Sequence, residues 1–250
     1  METEAELRQK GLAQLKSFLA ECDIKDYRGR KIFEIGFRNG LFIDECRREG
    51  LLPTGLEINR EYVEEVKTKF PNMDILWYDG GTFPVPDASY DFVVSFQVLE
   101  HVNSTEHIID ESIRILKAGG IMYHVAPNYH SFYEGHYKVI WLPFLNRTLG
   151  RYYVKMLRLD GPYYELLNII KPYGVERILR RRGSDITVLS LGRREFINNF
   201  NAEQIEKVNQ KLLKKALRML LGLTFLKNCF LWFISQANLY YPIIIIARKN

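Results

Sequence analysis

Residues Lys31 to Phe42, KIFEIGFRNGLF, constrain what this chain can fold into more than any other stretch. A short apolar run suited to a buried strand breaks at Gly36, Gly40 closes the turn, and helix-like spacing follows from Leu41 to Arg48. Strand, glycine turn and helix together make a nucleotide-binding start. Glycine lets backbone approach a ligand where a Cβ would collide, and the first N–H groups of the helix are free to bind. A pyrophosphate fingerprint needs Gly-x-Gly-x-x-Gly, but Arg38 and Leu41 stand at the second and third glycine positions. Glu34, two residues before the first glycine, suits a ligand that carries an amino group instead.

The same grammar continues on both sides of this stretch. Leu7, Leu12, Leu15, Phe18 and Leu19 approximate helical spacing over Glu4 to Cys22. Pro53 to Ile58 reads as a second buried strand ending in Glu57, 21 positions after Gly36. At that offset a carboxylate reaches ribose, and its two oxygens match two vicinal hydroxyls. The competing role is a negative charge at the amino end of a helix over Glu61 to Phe70. Asp74 to Tyr78 is a third strand, and the Asp79-Gly80-Gly81 that follows offers an acceptor for an adenine amino group, with Phe83 as a wall. Asp-Gly is also an ordinary turn pair. Ser89 to Phe96 is the fourth strand, a helix ends over Leu116 to Gly120, and Ile121 to Val125 is the fifth strand.

Taken as a set, Glu34-Ile-Gly36, Gly55-Leu-Glu57-Ile58, Tyr78-Asp79 through Asp87, Tyr90 to Ser95, Val98-Leu-Glu-His101-Val102 and Ile115 to Gly120 resemble the class I methyltransferases that use S-adenosylmethionine, in particular the small-molecule group of the methyltransferase type 11 kind. The likeness covers about Tyr27 to Pro127. It implies an α/β fold: a Rossmann-like seven-stranded methyltransferase sheet with an antiparallel final strand, plus helical cap insertions. Residues 1–26 are then an N-terminal helix and 27–250 the methyltransferase domain, with acceptor-side insertions at about 127–175 and 192–238. The cofactor implied is S-adenosyl-L-methionine. Glu34 and Gly36 lie near its methionine moiety, Glu57 holds the ribose, Asp79 with Gly80 the adenine, and Gln97 the neighbourhood of the methionine part. Gly40 and Ile58 complete the donor-binding set. Arg38 departs from the family's glycine, and a cation there either swings outward or meets the methionine carboxylate. His101 falls in a segment that the family uses as a packed helix start.

The loop Pro127 to Tyr137 leaves the fifth strand at the end of the sheet where open α/β folds bind ligands. It gathers His130, Glu134 and His136. An alcohol or phenol must lose its proton as a methyl group arrives, and histidine titrates in the right range. His130 or His136, oriented by Glu134, is the expected base. The competing role is hydrogen bonding within the loop. Tyr163 to Arg182 has helix-like spacing, Ile186 to Leu191 is a sixth strand and Tyr240 to Ala247 the last.

Charge is unevenly spread. From Arg147 onward there are 19 Lys or Arg against 7 Asp or Glu, and before it 16 against 23. A basic back half points to an anionic surface or ligand, or to a solvated basic face. Ala202 to Leu221 sets Ile205, Val208, Leu212, Leu213, Ala216, Leu217 and Leu220 against Lys207, Lys211, Lys214, Lys215 and Arg218, a basic amphipathic helix that would touch a membrane surface through 202–234 or pack as a cap. Met219 to Ile234 is apolar but interrupted by Lys227 and Asn228, so it is not expected to span a bilayer.

Cys22, Cys46 and Cys229 share no pairing or zinc spacing, and no metal is expected. Met1 to Lys10 is charged, so no secretory leader is read. A cytoplasmic protein, peripheral on the inner membrane face, is the expectation. The expected activity is methyl transfer to a small-molecule, glycan or lipid-linked acceptor at oxygen. The alternative is an inert donor-binding module that docks a membrane or partner. Nucleic acid is not an expected partner, since the basic residues form no known binding module.

Overall fold

Strand β1 (Lys31–Ile35) is buried at four of its five positions, so its sequence has no polar face to show. Parallel neighbours flank it: β2 (Leu52–Glu57) on one side and β4 (Tyr90–Phe96) on the other. Outside β2 lies β3 (Asp74–Trp77), and outside β4 lies β5 (Leu116–Ala126), both again parallel. With β8 (Ile186–Ser190) and β9 (Ile243–Lys249) the sheet has seven strands in the order β3-β2-β1-β4-β5-β9-β8. Asn250 N donates to Asp185 O at one end of the last pair and Ile244 N to Leu191 O at the other, so numbers rise along one strand as they fall along its neighbour. The final pair is antiparallel. The computed structural model describes residues 4–143, 145–159, 161–200, 215 and 223–250. The amphipathic stretch expected over Ala202 to Leu221 therefore lies, but for Lys215, outside the described residues.

The backbone divides into two compact units, 1–126 with 176–189 and 245–250, and 127–175 with 190–244. In the first, α1 (Glu4–Glu21) buries Leu15 and Phe18, and Phe18 meets Phe92 and Tyr123 edge-on. Helix α2 (Leu41–Arg48) buries Leu41, Phe42, Ile43 and Cys46, and α3 (Arg60–Lys69) buries Val63 and Val66. Asn59 caps α3 by accepting from Glu61 N, and Ser104 caps α4 (Thr105–Ile115) by accepting from His107 N.

Three expectations about helices are corrected. Leu116 does not continue a helix toward the glycine pair. It is already extended and pairs with Tyr90, after which the register slips so that Phe92 faces Ile121. The carbonyls at this point are taken from outside the helix: Ala88 N and Ser89 N donate to Arg114 O and Ile115 O, and Lys249 Nζ donates to the carbonyls of Leu116 (2.8 Å) and Arg114 (3.3 Å). Likewise the pattern over Tyr163 to Arg182 is split into α6 (Gly161–Glu165) and α7 (Pro172–Arg180). Pro172 has no N–H and disfavours helical backbone at Lys171, so the helix restarts at the proline. The segment at His101 is a turn closed by His101 N on Val98 O rather than a helix start.

The second unit has its own core of Tyr129, Trp141, Val154, Tyr164 and Leu167. It contains the hairpin β6 (Tyr133–Glu134) and β7 (Val139–Ile140), α5 (Arg147–Met156), α8 (Arg193–Asn199) and α9 (Thr224–Gln236). A side chain at Gly150 would strike the Tyr164 hydroxyl, which explains glycine in the middle of α5. Among the described residues no helix is long and apolar enough to cross a membrane.

Candidate active site

Chain order reverses between β1 and β4, because β1 leads to β2 on one side while β4 returns on the other. Ligands of open α/β sheets lie outside the carboxyl ends of strands at such a point. Gly36 leaves β1 there and Gln97 leaves β4. Gly36 has φ +74, and a Cβ on it would come within 2.5 Å of Val98 Cγ2. Only glycine holds that turn without pushing Val98 aside. Gly40, at φ +71, starts α2. Gln97 is exposed with φ +56 while its N donates to Val125 O. Such backbone costs on the order of 1 kcal/mol, and strain of this kind gathers at functional sites.

Glu57 ties these loops together. Its Oε2 accepts from Arg38 N (3.1 Å), and its Oε1 from Ile58 N (2.9 Å) and Asn59 N (3.1 Å). Two donors fill Oε1, so one acceptor position remains on Oε2, room for one hydroxyl rather than one on each oxygen. Arg38 has φ +48 and an exposed side chain. Glu34 is 5% exposed, and its Oε2 has no hydrogen-bond partner among the described residues. Burial, with the charge of Glu57 adding to it, holds the Glu34 carboxyl well above its ordinary range.

On the third loop, Asp79 is exposed and Oδ1 accepts from Gly81 N, closing the turn at Gly80 (φ +97). The exposed apolar group beside Gly80 is Ile58: a Cβ on Gly80 would lie 3.9 Å from Ile58 Cδ1. Phe83 does not offer a wall. It is buried, stacked on Phe33 and edge-on to Tyr78.

What sequence reasoning missed is the clamp that holds this loop. Glu111 Oε2 accepts from Phe83 N (2.7 Å), and Arg114 donates to Phe83 O, Val85 O and Asp87 Oδ1 while pairing with Glu111. His107 Nε2 lies 2.8 Å from Gly81 O. The available signal was the spacing of His107, Glu111 and Arg114, which shares one face of α4.

Also missed is a buried polar string. His124 Nδ1 lies 2.8 Å from Ser95 Oγ and its Nε2 lies 3.1 Å from Ser112 Oγ. Ser112 spends its proton on Ile108 O, so it accepts from Nε2–H, and Ser95 must donate to Nδ1. The ring is neutral, and burial lowers its pKa to about 3.

In the second unit the loop residues separate. Glu134 is buried, with Oε1 2.9 Å from His136 Nδ1 and Oε2 accepting from Tyr137 N (2.6 Å). Held so, His136 presents Nε2 as its acceptor nitrogen. His130 is not joined to Glu134 by these bonds. Its Nδ1 lies 3.1 Å from Pro143 O and its ring meets Tyr173 edge-on.

Residues 33–124 match the family model described as "Methyltransferase domain". Over 107 residues the chain is 33% identical to a Mycolicibacterium smegmatis protein named as a probable S-adenosylmethionine-dependent methyltransferase, covering 43% of this chain and 42% of that one. It is 26% identical over 112 residues to the ubiquinone biosynthesis O-methyltransferase of Pelagibacter ubique, covering 44% and 47%. The chain thus spans about half the length, or less, of these curated relatives. In fold it is similar to a solved S-adenosylmethionine-dependent methyltransferase from Mesorhizobium loti, with TM-score 0.56, 12% identity, and 93% and 97% of the two chains covered.

Proposed function

We propose that this chain, in which residues 33–124 form a class I methyltransferase domain, moves the methyl group of S-adenosylmethionine to an oxygen of a small-molecule acceptor. The observation that carries the reading is Glu34, a buried carboxylate with an unpartnered oxygen at the end of β1, beside a glycine turn tied to Glu57. An uncompensated buried acid is costly, and an ammonium such as that of the donor's methionine moiety would supply its partner. The other residues fit the same molecule: Glu57 has one acceptor position for a ribose hydroxyl, and Asp79, Gly80 and Ile58 combine an acceptor with an apolar edge for adenine. S-adenosylmethionine supplies a methyl group already activated on a sulfonium, so the protein's task is alignment and the handling of a proton.

For that proton we assign His136, with Glu134 holding Nδ1–H so that Nε2 takes the acceptor's hydroxyl proton. His130 is the second choice because its Nδ1 faces the Pro143 carbonyl, whereas the Nδ1 of His136 faces the Glu134 carboxylate. Oxygen is supported by this need for a base and by the O-methyltransferase relative. Among acceptors, a lipid-linked glycan, a sugar or a quinone precursor suits a chain rich in aromatic and basic residues, and contact with a membrane surface through 202–234 belongs to the same reading.

Calorimetry with S-adenosylmethionine tests the binding step: heat with the parent, and loss of it in Glu57→Ala and Asp79→Ala, is expected. No heat with the intact chain ends the proposal. Mass-spectrometric methyl gain across oxygen acceptors tests the transfer, and His136→Gln should lower kcat by about a hundredfold and flatten its pH profile. An inert donor-binding module is the competing reading, favoured by the cation Arg38 in the glycine loop. Release of S-adenosylhomocysteine with any acceptor removes it.

A further inference from the structure

Exposed apolar side chains are unevenly divided between the two units. Of the large hydrophobics exposed among the described residues, 16 of 21 belong to the unit formed by 127–175 and 190–244. Single exposed leucines need no explanation, whereas grouped ones do. Helix α5 groups them by face. One face, Gly150 and Val154, is buried. A second carries Leu149, Tyr152 and Met156, which are 52%, 65% and 68% exposed. The third carries Arg151, Lys155 and, just past the helix end, Arg158, all exposed. No acidic residue occurs from Arg147 to Arg158. Glu165 pairs with Arg147 and Arg151, but no such pair is seen among the described residues for Lys155 or Arg158.

Helix α9 in the same unit repeats the theme. Phe225, Trp232 and Phe233 are exposed, the first standing two turns from the other two, and the helix has no acid.

We propose that α5 lies in the plane of an anionic lipid bilayer, with Leu149, Tyr152 and Met156 entering the headgroup boundary and Lys155 and Arg158 meeting anionic headgroups. An apolar arc edged by cations is what such an interface selects, because the arc gains burial while the charges stay wet. A protein partner would need acidic groups placed against the same edge, whereas an anionic bilayer offers them wherever the helix lands. Helix α5 is too short to span, so lying flat is the geometry open to it. The proposal does not depend on the donor site.

The test is sedimentation of the full chain with phosphatidylcholine vesicles, with and without phosphatidylglycerol. Pelleting only with the anionic lipid, and release by added salt, is expected. Lys155→Glu with Arg158→Glu should lower the partition coefficient at least roughly twentyfold, about fivefold for each cation lost. Tyr152→Ser with Met156→Ser should lower it similarly. Calorimetry with S-adenosylmethionine on the same variants should match the parent, which separates a folded surface variant from a damaged protein and this inference from the donor reading. The proposal is overturned if the parent stays in the supernatant with both lipids, or if both variants pellet as the parent does. It is equally overturned if light scattering finds a dimer that the α5 variants dissolve, since the face then joins two copies of the chain.

Discussion

Glu34 is a buried acid with an unpartnered oxygen, and that carries a cost in the chain alone. Its folded pKa is raised, by burial first and by Glu57 second, so its contribution to stability is full below the unfolded value and is lost as pH rises through the folded one. Glu34→Gln, which cannot ionise, should therefore gain on the parent as pH rises, seen as a growing difference in Tm. The same variant should bind S-adenosylmethionine about tenfold or more weakly, because a charge-assisted hydrogen bond is worth about 1.5–3 kcal/mol. Equal affinity of the two proteins would remove Glu34 from the site. His124 titrates the other way. Its folded pKa is near 3 against an unfolded 6.5, so unfolding takes up a proton between those values and stability falls as pH falls through that window. Between about pH 7 and 5 the parent should lose about 2 kcal/mol more than His124→Gln in urea unfolding, on the order of 1.4 kcal/mol per pH unit once the unfolded imidazole is charged. Parallel losses in the two proteins would mean that the ring is already protonated in the core.

Helix α4 holds the third loop by its side chains rather than by its end. Arg114 reaches two carbonyls and two carboxylates of which only Glu111 shares its helix, and hydrogen bonding to Glu111 is the first reason that its guanidinium is held more firmly protonated than usual. The loop so anchored carries Asp79 and Gly80. Arg114→Ala should raise KM for the donor about tenfold with kcat within about twofold, because the loop loses position and the reacting groups do not. Arg114→Lys should recover little of this, since an ammonium cannot fork between two backbone carbonyls. A fall in kcat with KM unmoved would place Arg114 in the chemistry instead. At β5 two glycines looked like a helix stop, but Ala88 N, Ser89 N and Lys249 Nζ, the last more than a hundred residues away in sequence, take the carbonyls of Arg114, Ile115 and Leu116.

For the chain as a whole, the proposed donor binding links to folding. Saturating S-adenosylmethionine at about a hundred times its dissociation constant should add about 2.7 kcal/mol to stability, read as a rise in Tm that Glu57→Ala abolishes. A rise of the same size in that variant would put the ligand elsewhere. The order of strands, the glycine turn and the acids at strand ends were legible because each is a local rule: apolar runs bury, Gly36 and Gly40 accept positive φ, and a carboxylate at a strand end faces the next loop. The split of 161–180 had a local signal in Pro172, but the apolar spacing on both sides concealed it. What local rules could not reach were partners distant in sequence. Nothing near His124 announces Ser95 and Ser112, nothing near Phe83 announces that Phe33 and Tyr78 will bury it, and Glu57 is half spent on backbone N–H groups that only the folded turn brings to it. Sequence alone determined which residues stand at strand ends and in the glycine turn, because periodicity and backbone freedom are properties of neighbours. Tertiary structure decided which acceptor stayed available, because hydrogen-bonding capacity is shared out among whichever groups the fold makes adjacent.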